Sequence, residues 1–100
     1  MQLAAGSRLR SQVCTTEVIV VRGGDIEGDV TCGGLPLVAI GAVVTEGRPA
    51  SGLDTGSQLG KRYTDGGAIE LLVTKAGAGT LGLGSTPLQI KGSRPLPSSD

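Results

Sequence analysis

One hundred residues with nine basic and nine acidic side chains, a formal net charge of zero, no histidine and a single aromatic residue, Tyr63, exclude several functional classes at once. With no basic run and no stacking platform the chain lacks both features that nucleic-acid binding needs, and no stretch is long and apolar enough to span a membrane as a helix. A chain of this size without Phe or Trp must build a thin core from Val, Leu and Ile, so help from a metal, a disulfide or a partner chain is expected.

Met1 to Ser11 carries Arg8 and Arg10 but no apolar core of signal-peptide length, which makes the cytoplasm the expected location. Eighteen glycines and five prolines divide the chain into short pieces that favour strands and turns over helices. The first such piece runs from Cys14 to Leu37. Glu17 to Arg22 reads as a strand, 23–29 as a polar loop, and the residues leading through Cys32 to Leu37 as a second strand. Taken as an antiparallel hairpin, this stretch brings the only two cysteines, one at each end, toward each other. Its four-residue apolar run is consistent with a strand covered on both faces, and its loop with the positive φ angles of tight reversal. Residues 41–59 read as a Gly/Pro/Ser linker with a short strand at Val43-Val44. Glu70 to Lys75 is the next strand, followed by the glycine-rich loop 75–80 and a second strand toward Leu88. The tail, 92–100, reads as extended and frayed unless a partner takes it as a polyproline-like segment.

The chain repeats itself. Gly6-Ser7-Arg8-Leu9 returns as Gly60-Lys61-Arg62-Tyr63, Glu17 to Arg22 as Glu70 to Lys75, and Cys32 to Leu37 as Leu83 to Leu88. The separation between matching positions falls from 54 to 53 to 51, so the differences lie in loops, as a duplicated fold tolerates. The domain reading is therefore a first unit at 1–40 holding Cys14 and Cys32, the linker at 41–59, a cysteine-free second unit at 60–91 and the tail at 92–100.

Aligned on this repeat, the units resemble the desulforedoxin-like domain, a small rubredoxin-type fold with the pattern Y-x-C-x-x-C-G-x-x-V-x-V, a glycine-rich loop and L-x-C-C-G-x-x-M. In the first unit the aromatic position falls on Leu9, the first cysteine pair on Ser11 and Cys14, the valines on Val18 and Val20, and the adjacent pair on Cys32 and Gly33, followed by Gly34, Pro36 and Leu37. In the second unit Tyr63, Val73, Gly77, Gly79 and Leu81 match, while Leu83 and Gly84 take the paired-cysteine positions and the region of the first pair is 65–68, with Asp65 its one remaining donor. The resemblance implies an all-β protein of two tandem β-hairpin units related by pseudo-two-fold symmetry, with a metal site halved in one unit and lost in the other.

What chemistry remains rests on Cys14 and Cys32. A rubredoxin-type iron or structural zinc wants four soft ligands, and one chain offers two thiolates. Three readings stay open: both cysteines are buried small hydrophobes with no cofactor bound; they are ligands of zinc or iron, with the site shared across a two-fold dimer; or they form a redox-responsive disulfide, since positions that once shared a metal bring their sulfurs close. Arg10 and Arg22 are candidate activators of a reactive cysteine. Enzymatic readings lack support: without histidine there is no Ser-His-Asp set, and the glycines of 77–84 precede no helix that would make a phosphate loop. They read as turn glycines, Asp54, Asp65 and Glu70 as surface charges, and Tyr63 as the core aromatic of the second unit. Arg62, Tyr63 and Asp65 would line any site formed at a subunit boundary. The expectation is a small non-catalytic accessory or scaffold protein that acts by self-association, as a dimer, or by binding a protein partner; the alternative is a metal-binding or redox protein using Cys14 and Cys32.

Overall fold

The computed structural model describes residues 1–44, 47–84 and 86–91, and among these every regular element is a β-strand. In chain order they are β1 (Gln2–Leu3), β2 (Arg8–Arg10), β3 (Glu17–Arg22), β4 (Gly24–Asp25), β5 (Val30–Cys32), β6 (Leu35–Pro36), β7 (Val38–Ala39), β8 (Arg62–Thr64), β9 (Glu70–Lys75), β10 (Leu81–Leu83), β11 (Thr86–Pro87) and β12 (Gln89–Ile90). They form three antiparallel sheets: β12-β8-β9-β3-β2-β7, β11-β10-β5-β6 and the small pair β1-β4.

The long strands sit where the sequence puts them, because an acidic start, four β-compatible residues and a basic end define each. Their partners differ from expectation. β3 does not form a hairpin with β5; it is paired on one side by β2 and on the other by β9, which leaves no free edge, and β5 lies in the second sheet between β6 and β10. The connection 23–29 is a crossing between sheets, held by β4 on β1, and not a reversal. Neighbouring strands reverse from β2 to β3 through 11–16, from β8 to β9 through 65–69 and, most tightly, from β5 to β6 through Gly33-Gly34, where φ of +65° and +101° suits a two-residue turn of the primed kind.

The central seam pairs Val18 with Val73, Ile19 with Leu72 and Val20 with Leu71. Alternation then decides burial. Val18, Val20, Leu71 and Val73 point into one core with Val30, Cys32 and Leu81 of the second sheet, closed by Leu3, Leu37, Tyr63, Ile69 and Leu88. Each buried aliphatic side chain stabilises the fold by about 1.5–3 kcal/mol. Ile19 and Leu72 on the opposite face are only half-buried and Val21 is exposed, so the apolar runs are covered on one face and not both. The second sheet shields only one side of the first.

Val43-Val44 forms no strand: the chain turns at Gly41, with Ala42 N–H donating to Ala39, and leaves Val43 fully exposed. From 47 to 57 the chain runs back across the end of the second sheet. Ala50 N–H donates to the Gly33 carbonyl at 2.9 Å, Thr80 N–H to Leu53 at 2.9 Å and Ser57 N–H to Gly77 at 2.9 Å. The tail expected at 92–100 lies outside the described residues.

Candidate functional site

Cys14 stands on the β2–β3 loop and Cys32 ends β5, so two sheets each supply one thiol. The loop is shaped by Ser11, whose Oγ accepts the N–H groups of Val13 at 3.0 Å and Cys14 at 3.1 Å, while Ser11 N–H donates to the Thr16 carbonyl at 2.9 Å. Ser11 and Thr16 are both fully buried. This cradle puts Cys14 Sγ 3.6 Å from Cys32 Sγ, 3.2 Å from Ser11 Oγ and 3.2 Å from Thr16 Oγ1. Both cysteines are free thiols.

A roof from the second half covers the pair. Gly79 N–H donates to Cys14 Sγ at 3.3 Å, Gly33 N–H donates to Thr80 at 2.9 Å, and Thr16 Oγ1 lies 2.5 Å from Ser57 Oγ. Gly77 and Gly79 serve here by having no side chain. A methyl on Gly79 would sit 2.7 Å from Cys32 Sγ and 3.2 Å from Cys14 Sγ; one on Gly77 would collide with Thr16 and come within 3.0 Å of Cys14 Sγ. Neither has a positive φ, so the turn role that the sequence assigns them gives way to close approach.

The two thiols differ in accessibility and acidity. Cys14 is partly exposed at the floor of a groove of about 270 Å³ bordered by Arg10, Gln12, Thr15, Val44 and Gly47, whereas Cys32 is 0 % exposed. Burial pushes the Cys14 thiol up, but the hydroxyls of Ser11 and Thr16 and the amides of Thr16 and Gly79 stabilise its thiolate and bring it down to about 7. Burial and the neighbouring Cys14 push Cys32 up to about 11. The groups acting on Cys14 are neutral hydroxyls and amides. Arg10 Nε is spent on the Ser11 carbonyl at 3.2 Å and Arg22 Nη2 on Gly67 at 2.9 Å, so neither is the activator that the sequence offered.

One chain alone does not supply the donors of a four-thiolate metal. Of the positions that the resemblance assigns to ligands, Ser11 supplies a hydroxyl and Gly33 nothing, and a side chain at Gly33 would meet Val13 Cγ2 at 2.6 Å and Pro49 at 3.0 Å. Among the described residues no group of three or more His, Cys, Asp or Glu side chains converges.

The remaining candidates are structural. Tyr63 is buried and its hydroxyl accepts Gln58 N–H at 3.0 Å, as a core aromatic should. Asp65 Oδ1 accepts the N–H groups of Gly67 at 2.9 Å and Ile69 at 3.2 Å, which hold its carboxyl below the usual range. Glu70 is not the surface charge expected of it. It is buried, with carboxylate oxygens 2.6 Å from Lys91 Nζ and 3.2 Å from Arg62 Nη1, and the Lys91 bond lowers its pKa most. Sequence reasoning missed Thr16 and Ser57, for which no spacing or motif gave a signal, and it singled out Gly77 and Gly79 but as turn residues.

Compared with protein-family models, curated proteins and solved structures, the chain matches none of them. Among the described residues no helix is long and apolar enough to cross a membrane.

Proposed function

We propose that the chain is a small non-catalytic accessory or scaffold protein of the cytoplasm, derived from a metal-binding desulforedoxin-like fold and acting through self-association, as a dimer, or through a protein partner. The observation that carries this reading is a framework kept in both halves while, of the ligand positions that the resemblance assigns, only Cys14 and Cys32 keep a thiol: Ser11 and Gly33 stand at the other two of the first unit, and Leu83, Gly84 and the stretch 65–68 at those of the second.

Support for two units related by a pseudo-two-fold axis comes from matching registers. Ile19 faces its counterpart Leu72, and Val18 and Val20 exchange partners symmetrically about that pair. Gly6 N–H to Val20 at 2.7 Å has its equal in Gly60 N–H to Val73 at 2.9 Å, and Leu37 N–H to Val30 at 2.9 Å in Leu88 N–H to Leu81 at 2.9 Å. A surface for contact is available on the open face of the large sheet, where Arg8, Ile19, Leu72 and Arg62 follow one another across four strands. That such a fold is retained for its surface is an argument by analogy.

A second reading, a zinc- or iron-binding protein using Cys14 and Cys32, is favoured by the 3.6 Å between the sulfurs. Two thiolates on one tetrahedral zinc, each about 2.3 Å from the metal, stand about 3.8 Å apart. Elemental analysis of the reduced protein, with its mass in solution measured alongside, separates the two readings. Metal-free protein that is folded and larger than one chain is the expected result. About one zinc or iron for every two chains, lost with the fold on chelation, would replace the scaffold by a shared thiolate site.

A further inference from the structure

We propose that Cys14 and Cys32 are a reversible dithiol–disulfide pair, in which Cys14 is the attacking thiol, Cys32 the resolving thiol, and a low-molecular-weight disulfide the oxidant. Three observations place the roles. The sulfurs are 3.6 Å apart, so closing to a bond of about 2.05 Å takes a shift of about 1.5 Å. Cys14 rides on a loop, which can supply that movement, while Cys32 is fixed at a strand end between β6 and β10. Of the two sulfurs, Cys14 faces the outside at the floor of its groove, and the fully buried Cys32 is reached through Cys14.

The chemistry follows from that order of access. The Cys14 thiolate, held by Ser11, Thr16 and the Gly79 amide, attacks one sulfur of the small disulfide; its S–S bond breaks and one thiolate leaves. Cys32 then attacks Cys14 Sγ, its proton passing to a departing thiolate, and the second small thiolate is released. In total the two cysteines lose two electrons and two protons, and the oxidant becomes two thiols. Excess small thiol runs the same steps backwards.

The pairing of the thiols holds whatever the ancestry of the fold, since it needs only their separation and unequal exposure. A bond between the loop and β5 would also remove the thiolate that the Gly79 amide stabilises, so oxidation of the pair weakens a contact between the loop and the roof.

The test equilibrates the full chain, reduced and metal-free, in glutathione buffers of graded poise, followed by alkylation and mass spectrometry. The expected result is loss of both thiols together, a product two hydrogens lighter, and a Cys14–Cys32 cross-linked peptide. In the Cys32→Ser variant one glutathione is trapped on Cys14; in Cys14→Ser the folded chain leaves Cys32 unmodified. Because a variant can unfold, the alkylation rate of Cys14 in the unsubstituted protein is read as well, and should rise about tenfold between pH 6 and pH 8 while Cys32 stays inert. Thiols that both remain free across the series, glutathione found first on Cys32, or a cross-link only between chains would each overturn the proposal.

Discussion

Gly33 after β5 and Gly84 after β10 share a backbone conformation and differ in their surroundings. Gly33 and Gly84 both hold left-handed conformations, with φ of +65° and +60°. A methyl on Gly33 would press on Val13 and Pro49, whereas among the described residues no atom lies within 4 Å of one on Gly84. At the first end the segment 47–57 and the loop 76–80 close over two sulfurs. At the second, Thr64, Asp65, Leu83, Pro87, Gln89 and Lys91 line a groove of about 580 Å³. The turn itself therefore does not make a site. What shelters the thiols is chain supplied from elsewhere, so damage to the shared core, to the sulfurs and to the cover should have separable consequences.

The largest effect should come from the seam common to both ends. Leu71 is fully buried opposite Val20, and Leu71→Ala is expected to cost about 2–5 kcal/mol. Urea unfolding followed through Tyr63 and through Cys14 labelling should shift together; separate transitions would mean that the two ends do not share a core.

Oxidation should stabilise the closed end by about 3 kcal/mol, because the bridge would restrict the chain between residues 14 and 32, and Tm should rise on the order of 10 °C. Calorimetry of the oxidised and reduced protein measures it. An unchanged or lower Tm would show that closing the sulfurs strains the roof as much as the cross-link gains.

What was legible in the sequence fits this contrast. Glu17–Arg22 and Glu70–Lys75 could be read because each strand announces itself locally, and the nearness of Cys14 and Cys32 was expected. The route to that nearness was not. A hairpin pairing β3 with β5 is the local solution, but the choice of β9 for β3 and β10 for β5 is made by a shared core distant in sequence. The roof was hidden for a related reason. Glycine marks a turn and a close approach with the same letter, and only the position of Gly79 over the sulfurs tells them apart. Glu70 misled in the same way, since Arg62 and Lys91 reach it only once the strands are paired.

A matched pair of substitutions isolates the roof. Gly84→Ala carries only the left-handed strain, about 1 kcal/mol. Gly33→Ala carries the same strain plus the contacts with Val13 and Pro49, which should add about 1–3 kcal/mol. Equal losses in denaturant titrations of the two variants would mean that 47–57 yields freely, and that the shelter over the thiols is loose.

The smallest effect is electrostatic and has a definite sign. Cys14 falls from its ordinary value near 9 to about 7 in the folded chain, so the fold favours its thiolate. That contribution is present in full above pH 9 and fades as pH falls through 7; stability should therefore rise between pH 7 and pH 9, by less than about 1 kcal/mol once solvent screening of this half-exposed group is allowed for. Cys32, raised to about 11, acts oppositely and only above pH 9, where ionisation of the unfolded chain begins to draw the protein apart. The difference in stability between the unsubstituted protein and Cys14→Ala, measured by denaturant titration under reducing conditions from pH 6 to pH 9, cancels the titrations that the two share. A difference that grows toward pH 9 confirms that hydroxyls and amides hold a thiolate at the closed end. A flat difference would make Cys14 an ordinary thiol and the roof a cover without electrostatic effect.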